Sequence, residues 1–80
     1  MVTPENIKTW IESNLANSQV TVTGDGHHFE ATVICPDFAE QSMLVRHRLV
    51  YQALGNRMKA DIHALSLKTW TPQEYEINSR

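Results

Sequence analysis

The sequence predicts an α+β fold, an α/β sandwich in which a three-stranded mixed sheet has helices packed on one face. Three observations support this prediction. Apolar residues recur at helical spacing near the N-terminus, two alternating patterns flank a Gly-Asp-Gly turn, and a further helix separates the second strand from a third. The order is therefore helix, strand, strand, helix, strand, helix, and residues 1–80 are expected to form one domain.

The first helix is predicted to begin at Pro4. Thr3 can cap it, and proline is favoured at the first helical position because no backbone N–H is needed there. Asn14 and the pair Asn17-Ser18 end it. Apolar side chains recur at spacings of three and four on one face: Ile7, Trp10, Ile11 and Leu15.

Two short strands are predicted to form a hairpin around Gly24-Asp25-Gly26. In the first strand Val20 and Val22 alternate with threonines, which is typical of a strand with one buried face. The second strand is predicted from about His28 to Cys35. Its apolar face consists of alternate residues: Phe29, Ala31, Val33 and Cys35.

The second half of the chain predicts a helix, a strand and a short helix. The longer helix runs from about Ser42 to Leu54, with Gly55-Asn56 as its stop signal. After a short basic link, the third strand runs from Ile62 to Trp70. Thr71-Pro72-Gln73-Glu74 is a capping box that starts the last helix.

Composition and size exclude several classes of protein. Hydrophobic residues make up 41% and charged residues 20% of the chain, as in an ordinary soluble globule. No apolar run approaches the roughly 20 residues of a membrane span, and no signal peptide is expected. The single cysteine, Cys35, excludes an internal disulfide framework and fits a cytoplasmic location.

The net charge of −2 argues against a strongly basic nucleic-acid binder, although the basic residues are unevenly distributed. Guanidinium groups can bind a phosphate or a partner's carboxylate bidentately. For the two arginines of the longer helix, the alternative is solvated charge or an ion pair with Glu40 or Asp37. Five of the seven basic residues, all of them in the second half, are candidates for binding nucleic acid or a partner: Arg46, Arg48, Arg57, Lys59 and Lys68.

The order of elements predicts that histidines meet at one edge of the sheet. The second strand, the helix and the third strand form a β-α-β unit, whose strands normally run parallel. Neighbouring strands are about 4.8 Å apart, so His27 or His28 and His63 can reach one metal if the third strand pairs with the second. Imidazole suits iron, zinc and copper. Asp25 and Asp61 are candidate third ligands, and the alternative is a polar sheet edge with exposed histidines.

His47 and Cys35 are predicted to be structural. His47 falls in an apolar stripe with Met43 and Val50, which indicates a half-buried, hydrogen-bonded side chain rather than a ligand. Cys35 lies on the apolar face of its strand, which favours a buried thiol over a nucleophile. The serines have no evident base beside them and no phosphate-binding loop is present, so the chain is not predicted to be an enzyme.

Three segments resemble the BolA family. They are Arg46-His47-Arg48-Leu49-Val50-Tyr51, Ile62-His63-Ala64-Leu65-Ser66-Leu67 and Thr71-Pro72-x-Glu74-Tyr75. The first two together are specific, and the likeness extends from the first helix to Tyr75. The short connection from Gly24 to Phe29 resembles the compact members of the family. The resemblance implies an α-β-β-α-β core like the type II KH fold, in agreement with the predicted order.

The resemblance also implies a function. BolA proteins pair with monothiol glutaredoxins and share a bridging [2Fe–2S] cluster, to which the glutaredoxin and glutathione each give a thiolate. This implies an adaptor in iron–sulfur trafficking or in iron and redox regulation. The family's third-strand histidine maps onto His63, and its loop ligand maps onto His27 or His28, of which His28 is favoured. Mixed histidine and thiolate ligation occurs in Rieske-type centres.

The alternative function is a KH-like transcriptional regulator, because some bacterial members of the family are described as binding DNA. The family usually has Phe-x-Gly-x-Ser where this chain has Phe38-Ala39-Glu40-Gln41-Ser42. KH domains bring a glycine-rich loop close to the phosphates, and Glu40 removes the glycine and adds repulsion. A third interpretation is a homodimer formed through the exposed sheet edge or the histidines. The residues that could still form a basic face are Arg46, Arg48, Lys59 and Lys68.

Overall fold

The computed structural model describes residues 1–62 and 64–78. Within these residues the predicted order of elements is confirmed, with one addition, since the basic link before the third strand is a short helix, α3. Ile62, the predicted start of the third strand, is not part of it, and the strand is described from Ala64. In chain order the elements are α1 (Pro4–Asn14), β1 (Gln19–Gly24), β2 (His28–Ile34), a 3-10 turn (Pro36–Phe38), α2 (Met43–Leu54), α3 (Arg57–Ala60), β3 (Ala64–Trp70) and α4 (Pro72–Asn78).

Both of the predicted proline-containing helix starts are present. Thr3 Oγ1 accepts a hydrogen bond from Asn6 N at 3.1 Å, and Asn6 Oδ1 accepts one from Thr3 N at 3.0 Å. At α4, Thr71 Oγ1 accepts from Glu74 N at 3.1 Å, and Glu74 Oε1 accepts from Thr71 N at 2.9 Å. These reciprocal bonds satisfy N–H groups that the first turn of a helix otherwise leaves unpaired.

The helices are short. α1 has 11 residues and α2 has 12, whereas a membrane-spanning helix needs about 20. Among the described residues no helix has the length and apolar character to cross a bilayer. Gly55 ends α2 as predicted, with φ 62 in the left-handed region that glycine adopts without steric cost.

The sheet has the strand order β1-β2-β3. β1 and β2 form the predicted antiparallel hairpin, in which Val20 lies opposite Val33. β2 and β3 are parallel neighbours, and His28 lies opposite Ala64. The condition on which the histidine prediction depended, that the third strand pairs with the second, is therefore met, and the predicted mixed sheet is confirmed.

The hydrophobic core lies between one face of the sheet and the helices α1 and α2. Burying one such aliphatic or aromatic side chain contributes roughly 1.5–3 kcal/mol, so this layer is the main source of stability. Cys35 belongs to it, as predicted, and burial raises the pKa of its thiol. The largest fully buried side chains are Phe29, Phe38, Ile7, Ile11, Leu54, Val33, Val50 and Cys35.

The opposite face of the sheet is polar and largely open to solvent. We call it the outer face. It carries alternate residues of the three strands: Thr21, Thr23, Glu30, Thr32, Ser66 and Lys68. α4 lies at the end of β3, where Tyr75 and Asn78 line a shallow depression beside Trp70. The core face is therefore closed by α1 and α2, and α4 lies beside the outer face at the Thr32 and Lys68 end.

Candidate functional site

The loop between β1 and β2 carries His27 and His28 at one edge of the sheet. Asp25 closes this loop, because its Oδ1 accepts hydrogen bonds from the backbone N–H groups of both histidines at 2.9 Å. Asp25 N also donates to His28 O at 3.2 Å. The backbone N–H of His28 and then that of His27 hold the pKa of the Asp25 carboxyl below its ordinary value.

Two glycines allow so tight a loop. Gly26 has φ 99, a backbone conformation that residues with a Cβ rarely adopt. A Cβ on Gly24 would lie 2.5 Å from His28 O and 2.5 Å from Phe29 Cδ1, which is too close for real atoms. The Gly24-Asp25-Gly26 sequence is thus explained by backbone geometry.

The parallel pairing of β2 and β3 brings the start of β3 beside His28. Next along the outer face, Glu30 lies opposite Ser66. Of the two loop histidines, His28 lines an open cavity of about 490 Å³ at this edge. The residues lining it are Thr23, Gly24, Asp25, His28, Phe29, Glu30, Ala64 and Ser66. His63, the predicted ligand from the third strand, lies outside the described residues.

The imidazoles of His27 and His28 at this edge are of the type that binds metals with nitrogen ligands. Both loop residues offer imidazole, a ligand found in iron sites and in [2Fe–2S] centres of mixed ligation. Over residues 1–62 and 64–78, no group of three His, Cys, Asp or Glu side chains is arranged to hold a metal. Of the predicted third ligands, Asp25 uses Oδ1 to close the loop, and Asp61 is an exposed residue at the end of α3.

Arg46 is buried rather than displayed on the surface. Its guanidinium donates to both carboxylate oxygens of Glu74, with Nη1–Oε1 at 2.7 Å and Nη2–Oε2 at 3.1 Å. It also donates to two backbone carbonyls. The predicted ion-pair partners Glu40 and Asp37 are wrong, because α4 brings the carboxylate of Glu74 against the guanidinium. We therefore assign Arg46 a structural role instead of the predicted binding role.

Arg57 also makes intramolecular contacts. Its guanidinium carbon lies 4.6 Å from the centroid of the Trp10 ring, a cation–π contact between α3 and α1. Its Nη1 donates to Leu54 O at 3.4 Å, at the end of α2. These contacts fasten α3 to the two larger helices, so we assign Arg57 a packing role as well.

The other three candidate basic residues, Arg48, Lys59 and Lys68, are exposed but do not share a face. Arg48 and Lys59 belong to α2 and α3, which pack on the core side of the sheet. Lys68 lies on the outer face, opposite Thr32. The predicted basic face is therefore wrong, because the sheet separates Lys68 from α2 and α3 and Arg46 is buried.

Comparison with known proteins decides the family. The family model described as BolA-like protein matches residues 2–74. This chain belongs to the BolA family. A solved structure of a bolA protein homologue from Coxiella burnetii is 64% identical and has a TM-score of 0.90. The match covers 95% of this chain and 99% of that one, and the predicted KH-like BolA fold class is confirmed.

Two relatives named as BolA proteins have the same sequence identity to this chain. The DNA-binding transcriptional regulator BolA of Vibrio cholerae is 38% identical over 73 residues, which cover 91% of this chain and 66% of that protein. Protein BOLA2 of Arabidopsis thaliana is 38% identical over 85 residues, which cover 100% of this chain and 90% of that protein. The chain thus spans just under two thirds of the Vibrio protein and most of the Arabidopsis protein.

The BolA segment from Arg46 to Tyr51 is oriented differently from the sequence prediction. Met43 was expected in the apolar stripe of α2, but it is 58% exposed, and Arg46 is turned inward instead. His47 is half-buried as predicted, yet the predicted hydrogen bond is wrong, because its buried Nε2 has no partner among the described residues. No local sequence signal identifies Arg46 as an inward-facing residue, because its partner Glu74 lies 28 positions further along the chain.

Proposed function

We propose that this BolA protein is an adaptor that binds a monothiol glutaredoxin and gives histidine ligands to a [2Fe–2S] cluster shared by the two proteins. The parallel register of β2 and β3, with His28 opposite Ala64, supports this proposal. His63 directly precedes Ala64 in the chain, and consecutive Cα atoms are about 3.8 Å apart. The proposal therefore takes His63, as the residue next to Ala64 in the sequence, for the second ligand.

His28 is the better candidate for the loop ligand. It is the first residue of β2 and it lines the open cavity together with Ala64. A ligand at the start of a strand has a backbone held by the sheet, and rigid elements position metal ligands more accurately than loops do. His27 lies one residue earlier, within the loop, and serves as the matched comparison.

The partner completes the cluster site. Thiolates from the glutaredoxin and from glutathione are the other ligands expected from the BolA resemblance, and this chain's only cysteine is buried in the core, away from the histidine edge. The protein acts in this proposal by presenting imidazoles to a cluster carried by another protein, not by catalysing a reaction. The cytoplasmic location suggested by the lone cysteine stays a prediction.

Titration of a cluster-loaded monothiol glutaredoxin tests the proposal. Under anaerobic conditions with glutathione, the parent protein should change the visible circular dichroism of the cluster and saturate. His28→Ala and His63→Ala should lose most of that change, while His27→Ala should behave as the parent. A parent protein that leaves the spectrum unaltered contradicts the proposed function, and a His63→Ala variant identical to the parent contradicts the ligand assignment.

A nucleic-acid-binding regulator is the second candidate. The name of the Vibrio relative favours it, as do the exposed Arg48 and Lys59 on the helical side of the sheet. Phosphate contacts make the affinity fall steeply with salt. Retention of duplex DNA at low salt should drop in the double variant Arg48→Glu, Lys59→Glu if these residues contact phosphate. Unchanged retention removes the support for this candidate.

A further inference from the structure

Asp25 fixes the backbone of both histidines in the β1–β2 loop. One carboxylate oxygen, Oδ1, accepts from His27 N and His28 N, and both distances are 2.9 Å. These are normal lengths for well-formed N–H···O bonds. The bond from Asp25 N to His28 O, at 3.2 Å, closes the same loop from the other side. Three hydrogen bonds therefore join Asp25 to the residues that carry the candidate ligands.

These bonds order the turn between Gly24 and His28, which lies outside the pairing of β1 with β2. It contains Gly26 and follows Gly24, and glycine is the residue with the widest choice of backbone conformation. The loop is exposed, so the hydrophobic core does not hold it in place. Hydrogen bonds to a charged acceptor are stronger than neutral ones, and here a carboxylate accepts from two successive amides.

We propose that Asp25 is a positioning residue for the histidine ligand of the shared cluster. This inference rests on the proposed function, because it assigns Asp25 a part in the same site. The direction of the His28 side chain follows from the backbone at residue 28, which Asp25 holds from both its N–H and its C=O. A metal ligand has to be held within about 0.5 Å of its productive position. Asp25 is thus assigned to orienting the ligand instead of to ligating the metal.

The test compares three variants in the glutaredoxin titration. Asp25→Ala removes the acceptor, Asp25→Asn keeps an oxygen acceptor without the charge, and Asp37→Ala removes an exposed carboxylate near the other end of β2. Loss of groups that orient metal ligands typically weakens binding about 10- to 100-fold. We expect a weakening of that size for Asp25→Ala, a smaller one for Asp25→Asn, and none for Asp37→Ala.

A second measurement needs no cluster. Amide hydrogen exchange of His27 and His28 should accelerate in Asp25→Ala and recover in Asp25→Asn, while the thermal unfolding midpoint stays near that of the parent. If Asp25→Ala retains the affinity of the parent for the cluster-loaded glutaredoxin, the inference is overturned. If the parent itself gives no cluster signal, the proposed function fails and the positioning role fails with it, although the exchange data still report the loop order.

Discussion

Arg46 on α2 and Glu74 on α4 form a two-pronged ion pair, with Nη1–Oε1 at 2.7 Å and Nη2–Oε2 at 3.1 Å. Only 10% of the Arg46 side chain is exposed, against 41% for Glu74. The same guanidinium donates to Thr69 O, and the same carboxylate accepts from Thr71 N. One ion pair therefore connects α2, the end of β3 and the start of α4.

Replacing Arg46 with alanine should destabilise the fold. The change removes the donors to Glu74 and to Thr69 O, and it leaves a void beside Phe38, whose ring centroid lies 5.8 Å from the guanidinium carbon. Allowing for solvent screening at the carboxylate, we expect the free energy of unfolding to fall by about 1–3 kcal/mol. Urea unfolding followed by far-ultraviolet circular dichroism measures it.

Arg48→Ala is the matched control for that experiment. Arg48 is an exposed arginine on the same helix, and exposed substitutions usually change stability by less than about 0.5 kcal/mol. Equal losses in Arg46→Ala and Arg48→Ala would show that the buried ion pair does not stabilise the fold.

The ion pair also predicts how stability depends on acid. The Arg46 guanidinium is the largest cause that lowers the pKa of Glu74 from 4.5 to about 2. Because the folded-state pKa is depressed, the stabilisation is fully present above pH 4.5 and is lost as the pH falls toward about 2. In Glu74→Gln the side chain cannot ionise, so this part of the loss of stability at low pH should be absent.

Urea unfolding of the parent and of Glu74→Gln, from neutral pH down to about pH 2, tests this dependence. The difference in the free energy of unfolding between the two proteins should shrink as the pH falls through that window. A difference that stays constant with pH would mean that the Glu74 charge contributes nothing. The same series with Glu5→Gln controls for carboxylates at helix starts, because Glu5 lies in the first turn of α1.

Glu40 has a backbone conformation that favours glycine, with φ 62. A left-handed backbone costs a residue with a Cβ about 1–2 kcal/mol, and the extra freedom of glycine in the unfolded chain offsets about 0.5–1 kcal/mol. Glu40→Gly should therefore raise the free energy of unfolding by up to about 1 kcal/mol. Glu40→Val should lower it, because a β-branched side chain is strained there.

Thermal unfolding of both variants measures the effect. Asn17 has φ 64, and asparagine tolerates this region better than glutamate. Asn17→Gly is therefore the matched control and should gain less than Glu40→Gly. A Glu40→Gly protein less stable than the parent would mean that the glutamate side chain makes a stabilising contact that outweighs the strain.

The sequence was sufficient to predict the order of elements and the pairing of the sheet. Local signals are strong at Thr3 and Thr71, where capping residues precede proline. The element order and the rule for β-α-β units favour parallel strands β2 and β3, and once these strands are neighbours the start of β3 lies beside His28.

The sequence was not sufficient to predict contacts between distant side chains. The periodicity of α2 predicted that Met43 rather than Arg46 faces the core, because periodicity ranks residues by hydrophobicity. It takes no account of the Glu74 carboxylate, which lies 28 positions further along the chain and pairs with Arg46. α3 has four residues, too few to show a helical period. Asp25 closes its loop by accepting hydrogen bonds from two backbone N–H groups, and a sequence pattern does not show these bonds.

Nitrogen ligation of the shared cluster is tested most directly by pulsed electron paramagnetic resonance. The protein, labelled with nitrogen-15 in its histidines, is mixed with cluster-loaded monothiol glutaredoxin and glutathione, and the complex is reduced. We predict nitrogen-15 couplings from imidazole in the parent, and weaker or fewer couplings in His28→Ala and His63→Ala. A reduced cluster bound to the labelled parent without nitrogen-15 coupling would contradict histidine ligation by this protein.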